Sequence, residues 1–183
     1  MYKKFNQTYH FIDKFKESDL IKLNSKISLI YRNYKTKISI PIIKNIKQFC
    51  KKTNRKFYLA NNVKLAYQLG LDGAYIPSFN QSIRHNSFSK KKNFKLIGSA
   101  HNIKEILIKE KQKIKCIFLS PVFQTQKNKT YLGIYRFMLL KKITSNKVIA
   151  LGGINNFNLK RLQLTNCFGI ASISFIVGLY NGK

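Results

Sequence analysis

Short β-rich apolar runs alternate along this chain with stretches whose apolar residues recur at helical spacing. Residues 9–12, 27–32, 56–60, 73–77, 95–100, 115–121, 147–153 and 169–176 are expected to form strands. Several are almost continuously apolar, the pattern of a parallel strand covered on both faces. Helical spacing stands out in three of the intervals. Residues 40–52 set Ile40, Ile43, Ile46 and Phe49 near one stripe. Residues 102–113 carry Ile103, Ile106, Leu107 and Glu110 at i, i+3, i+4 and i+7, and residues 156–166 place Leu159 and Leu162 on one side. Asn102 and Asn156 are the expected N-caps, because a short amide side chain accepts from the first free backbone N–H groups.

Eight strands with helices between them predict an α/β fold, a (β/α)8 TIM-type barrel formed as one domain by residues 1–183. The chain is economical for such a barrel. Residues 14–26 leave room for a short first helix only, residues 78–93 read as largely irregular, and residues 177–183 are too few for a normal final helix. A truncated end exposes an apolar edge, so a homo-oligomer in which a second copy covers it is expected.

Composition narrows the classes. Hydrophobic residues make up 44% of the chain, enough for a real core. No run of about 18 apolar residues is present, and the N-terminus lacks an apolar signal region, so a cytoplasmic protein without membrane contact is expected. The three cysteines are distant from one another and odd in number, which suits buried, reduced thiols and gives no zinc or redox motif. Lys and Arg number 35 against 6 Asp and Glu, a net charge of +29. Such a balance attracts polyanions. The lysines are spread along a chain rich in asparagine and isoleucine, which points to compositional drift more than to a nucleic-acid face. The surplus still draws phosphorylated metabolites inward.

In such a barrel, chemistry collects in the loops that follow the strand C-termini. Those positions hold Arg32 to Lys35, Asn61, Ser78 to Asn80, His101, Ser120 through Lys129, Gly152 to Ile154, and Ser172, Ile173 and Ser174. Donors and cations dominate, which suits an anion. Gly152 and Gly153 after a β-rich run let the backbone come close to a ligand oxygen, and N–H groups there and after the eighth strand can hold phosphate. The following helix would add its N-terminus. Thr125, Lys127 and Lys129 offer hydroxyl and ammonium donors on one loop, able to neutralise a leaving pyrophosphate.

The stretch KFYLANNVKLAYQLGLDGAYIPS (56–78), LIGSAHNIKE (96–105), SPVFQT with the later Leu132-Gly133, VIALGGI (148–154) and residues 169–176 occur in an order that resembles the thiamine phosphate synthase/TenI family. The resemblance spans about residues 27–176. It implies a (β/α)8 barrel and a place in thiamine biosynthesis. In the synthase branch, hydroxymethylpyrimidine diphosphate loses pyrophosphate and is joined to a thiazole phosphate. Arg32 then matches the family's strand-two arginine, and Lys35 lies one place beyond its lysine position, which is Tyr34. Thr125 falls at the pyrophosphate-loop hydroxyl. Gly153 and the turn from Ser172 through Ser174 match the thiazole phosphate cradle. The family's two Mg²⁺-binding aspartates fall on Asn61 and Asn80, and neutral amides are poor ligands for a hard cation. His101 matches a histidine that acts as acid/base in the TenI branch, a thiazole tautomerase. An enzyme acting on small phosphorylated thiazole and pyrimidine substrates is the leading expectation. A tautomerase using His101, and a catalytically decayed phosphate binder, remain open beside it.

Overall fold

Each apolar run becomes a parallel strand, and the eight strands close on themselves in sequence order. The computed structural model describes residues 5–87, 91–126 and 129–173. The strands are β1 (Gln7–Ile12), β2 (Ile27–Tyr31), β3 (Phe57–Ala60), β4 (Gly73–Ile76), β5 (Lys95–Ala100), β6 (Cys116–Leu119), β7 (Lys147–Leu151) and β8 (Gly169–Ser172). Closure is made by β8 on β1, with Thr8 opposite Ile170 and His10 opposite Ser172. Four strands, β2, β4, β6 and β7, end one or two residues earlier than the apolar runs suggest, while β1, β3 and β5 end where expected. The last apolar residues there bend into the rim loops, as Pro121 and Gly152 do. For the eighth strand, the expected residues 174–176 lie outside the described residues.

Alternation along the strands sorts side chains into two cores. Tyr9, Phe11, Tyr58, Tyr75 and Phe118 point into the barrel and fill it. Their rings meet edge to face, Tyr9 on Phe118 at 4.9 Å and Phe11 on Tyr75 at 5.1 Å between centroids. That geometry aligns ring edges with ring faces and leaves a packed column rather than a pore. The opposite strand faces, with Leu29, Leu59, Ile76, Ile117 and Val148, pack beneath the helices.

The helices are α1 (Glu17–Leu20), α2 (Ile40–Lys52), α3 (Val63–Gln68), α4 (Ile103–Lys111), α5 (Gly133–Ile143) and α6 (Asn156–Gln163). In α2, Ile43, Ile46, Phe49 and Cys50 form the buried stripe. Ile40, expected on that stripe, is 44% exposed because it lies in the first turn, ahead of the strands. In α4 the expected stripe is rotated. Ile106 and Lys109 are buried, whereas Ile103 and Leu107 are each about half exposed. Asn102 caps α4 as expected, accepting from the Glu105 N–H. In α6 the cap is Asn155 and not Asn156. Two helices carried no readable stripe: α3 has only six residues, and α5 is apolar on nearly every side.

The short first helix is compensated from outside its own segment. Arg55, 7% exposed, bonds the carbonyls of Leu20, Leu23 and Asn24. One guanidinium thus satisfies backbone acceptors that a longer helix would have satisfied internally. All three cysteines are buried and unpaired.

Candidate functional site at the strand C-terminal rim

The glycine pair and the loop after β6 form one unit. The Val122 N–H donates to the Leu151 carbonyl at 2.9 Å, and that of Phe123 to the Gly152 carbonyl at 3.1 Å. Gly153 sits at φ +68°, and a Cβ there would lie 2.4 Å from the Gln124 carbonyl oxygen and 2.5 Å from that of Phe123. Gly152, at φ +94°, would bring a Cβ to 2.8 Å from Pro121. Both glycines are therefore required by the loop pressed on them, as well as by their own backbone angles. Ser120–Pro121 is a cis peptide at the start of this loop. The base of the loop is closed by the Leu132 N–H on the Pro121 carbonyl and the Gly133 N–H on that of Val122, each at 2.9 Å. Thr125, half-buried, is next to Gln124 and so beside the Gly153 turn.

Register brings the eighth strand to the same place. Leu151 of β7 is opposite Ala171 of β8, so Gly152 and Ser172 leave the barrel side by side. Ser172 is buried and Ile173 is 58% exposed. Ser174 and Lys127 lie outside the described residues. The helix after the glycine pair differs from expectation. Asn155 accepts from the N–H groups of Phe157 and Asn158, and Asn158 accepts the Asn155 N–H in return. This capping box occupies those amides internally, so they are not donors for an anion.

A second constellation spans β4, β5 and β6. His101 Nδ1 faces the Ser120 carbonyl at 2.5 Å, and Nε2 faces the Ser78 hydroxyl at 3.0 Å. A carbonyl only accepts, so Nδ1 carries the proton in the neutral ring and Nε2 is left to accept from Ser78. Glu105 fixes the backbone below, accepting the His101 N–H at 2.8 Å. A cleft of about 460 Å³ opens beside this histidine, with Lys129 and Arg136 among its walls. The other histidines serve elsewhere. His85 is buried against the Gln112 carbonyl at 3.0 Å. His10 is buried on the outer face of β1, where burial lowers its pKa below the ordinary value.

Across the rim, the Arg32 guanidinium lies 4.7 Å above the Phe11 ring and caps the aromatic column. Lys35 is exposed, its N–H taken by Asn33 Oδ1 in a local turn. Asn61 and Asn80 are brought together, with Asn80 Nδ2 donating to Asn61 Oδ1 at 2.7 Å. Asn80 Oδ1 accepts the Ser82 N–H at 2.9 Å. The Asn61 oxygen is thus taken by the Asn80 amide nitrogen, and the Asn80 oxygen by the loop. Among the described residues no group of three or more His, Cys, Asp or Glu could hold a metal ion. This donor set does not fit Mg²⁺.

Two relationships escaped the sequence reading, which had Tyr34 and Phe79 on the rim only as residues of separate loops. Tyr34 and Phe79 stand edge to face at 5.7 Å beside a recess of about 330 Å³ that also touches Asn61 and Lys37. Their exposure marks them only once the loops are seen together. Asp13 follows β1 directly and so belongs to the rim, where its carbonyl accepts from Asn33 Nδ2 at 3.3 Å. Among the described residues no helix is long and apolar enough to cross a membrane.

The fold is shared with solved structures. A thiamine phosphate pyrophosphorylase from Pyrococcus furiosus superposes with a TM-score of 0.75 at 21% identity, covering 94% of this chain and 88% of that one. One from Bacteroides thetaiotaomicron gives 0.64 at 20% identity, covering 92% and 82%. Among curated sequences, the thiamine-phosphate synthase of Methanococcus vannielii is 26% identical over 158 residues, 83% of this chain and 74% of that protein. That of Helicobacter pylori is 32% identical over 136 residues, 70% of this chain and 61% of that protein. The chain spans only 39% of the Prochlorococcus marinus subsp. pastoris synthase, at 31% identity. The family model described as thiamine monophosphate synthase matches residues 18–176. The chain belongs to the thiamine monophosphate synthase/TenI family.

Proposed function

We propose that the chain works in the cytoplasm as a thiamine phosphate synthase-like transferase. It holds a thiazole phosphate at the β7–β8 end of the rim and joins it to hydroxymethylpyrimidine diphosphate. The observation that carries this reading is the docking of the β6 loop onto the Gly152–Gly153 turn next to the end of β8. It sets backbone amides for one phosphoryl group beside the loop that bears Thr125 and Lys129. In the reaction the thiazole nitrogen attacks the pyrimidine methylene carbon. The carbon–oxygen bond to the diphosphate breaks, and pyrophosphate leaves with the electron pair. Charge grows on the departing oxygen, so fixed cations and donors lower the barrier where it appears. Arg32, Thr125, Lys127 and Lys129 have that role, with Lys35 joining them from the rim. The Tyr34–Phe79 recess suits the flat pyrimidine ring. The Asn61–Asn80 pair, two neutral amides bonded to one another, does not suit a hard cation, so the rim's own cations and donors carry the charge.

One observation favours a second reading. The His101 ring is held in the tautomer that leaves Nε2 free to exchange a proton through Ser78. A thiazole carboxylate phosphate in the adjacent cleft could be isomerised by that relay. Purified protein tested on both reactions separates them. Pyrophosphate release from the two precursors supports the synthase, isomerisation alone supports the tautomerase, and neither reaction overturns the catalytic reading.

A further inference from the structure

Lys109 is the oddity of the core: a lysine on the buried stripe of α4 with no exposed surface. Taking an ammonium out of water costs several kcal/mol unless its donors are all matched. Here they are. Nζ donates to the carbonyls of Pro77 at 2.8 Å and Asn80 at 2.9 Å, and to Gln112 Oε1 at 2.9 Å. Gln112, equally buried, turns its amide nitrogen to the carbonyls of Asn80 at 2.8 Å and Ser82 at 2.9 Å. Every acceptor in this set except the Gln112 oxygen belongs to the loop after β4. Core filling alone would place an aliphatic side chain at such a position, so the ammonium is explained by what it holds.

What it holds is the rim. With its inward carbonyls drawn to one point, the loop presents Ser78 and Asn80 on its other side. Ser78 reaches His101 of the β5 end, and Asn80 reaches Asn61 of the β3 end. Three neighbouring strand ends are thereby set by one helix face.

We propose that Lys109 and Gln112 are positioning residues, which clamp the loop of residues 77–82 from inside the molecule and so set the geometry of the rim that receives the diphosphate-bearing ligand. This rests on the reading given above, in which that ligand spans the rim from Arg32 at the β2 end, across the loop after β4, to the loop after β6, and the thiazole phosphate takes the β7–β8 part. The pair touches no ligand; it acts through Ser78 and Asn80.

Full-length wild type, Lys109→Met and the milder Gln112→Met are compared by calorimetry with inorganic pyrophosphate and with thiazole phosphate. Amide hydrogen exchange is followed in parallel. A positioning role predicts pyrophosphate affinity reduced about tenfold and thiazole phosphate affinity changed less than about twofold. It also predicts faster exchange at Asn80 and Ser82 while β1 and β7 keep their protection. Equal losses for both ligands with uniformly faster exchange would assign the pair a purely structural role and overturn the inference, as would no change at all. Should wild type bind neither ligand, the functional reading falls. The exchange pattern then decides the clamp alone, local acceleration supporting it and uniform acceleration or none refuting it.

Discussion

The side-chain amide of Asn80 donates to that of Asn61 at 2.7 Å, tying the end of β4 to the end of β3. Two carboxylates at this separation would repel, and a hard cation between them would relieve the repulsion. The double variant Asn61→Asp/Asn80→Asp is therefore expected to lose about 1–3 kcal/mol of stability without metal and to recover it with millimolar Mg²⁺. Wild-type stability should be indifferent to Mg²⁺ and to a chelator. Urea unfolding with and without Mg²⁺ reads both outcomes. A wild type stabilised by Mg²⁺ would contradict the assignment.

His101 carries its proton on Nδ1 because the Ser120 carbonyl can only accept. Nitrogen-15 chemical shifts of the imidazole at neutral or mildly alkaline pH should report that tautomer. Ser78→Ala removes the partner of Nε2 and should leave it unchanged. If the proton relay carries an isomerisation, His101→Asn should lower kcat by about 10²–10⁴. The opposite tautomer would remove the relay.

Gly153→Ala forces a Cβ into the Phe123 and Gln124 carbonyls at a positive φ. Both the strain and the clash act on the same residue, so a loss of about 2–4 kcal/mol is expected, whereas a glycine replaced by alanine at an unstrained backbone angle gains about 0.4–1 kcal/mol. Thermal unfolding measures it. Stability within about 0.5 kcal/mol of wild type would show that the loop does not rest on this turn.

The order of the strands was legible because a parallel strand buried on both faces must be apolar almost throughout, as Ile27 to Tyr31 and Cys116 to Leu119 are. Helices were legible only where one face differs from the other. α2 shows this contrast, while α5 buries Phe137 and Leu140 but leaves Tyr135 87% exposed and so has no polar face to mark it. Lys109 shows the reverse failure: a charged residue on the inner stripe turned the expected face of α4 toward Ile103 and Leu107. The site was read as separate loops. That Gly153 is pinned by Phe123, or Asn61 by Asn80, depends on packing between distant segments, and no local pattern encodes it. The near miss at the α6 cap has a local cause, since two adjacent asparagines suit the position equally.

Burial pulls the Lys109 ammonium down to about 8 from its ordinary 10.5, with Glu105 opposing. Between those values the unfolded chain binds the more protons, so Lys109 makes stability rise with pH across that window. Below about pH 8 the contribution is flat. The full rise is on the order of 3 kcal/mol. Other lysines also titrate there, so the readout is the difference between wild type and Lys109→Met in urea at pH 8 and pH 10. The wild type should gain more. Parallel gains would contradict a depressed Lys109.

The proposed chemistry depends on where a phosphoryl group settles. A crystal structure of the protein with thiazole phosphate tests this most directly. It should show the phosphate oxygens within hydrogen-bond distance of backbone N–H groups at Gly152–Gly153 and of those following β8. A phosphate bound at another part of the rim, or a ligand contacting lysine side chains alone, would contradict it.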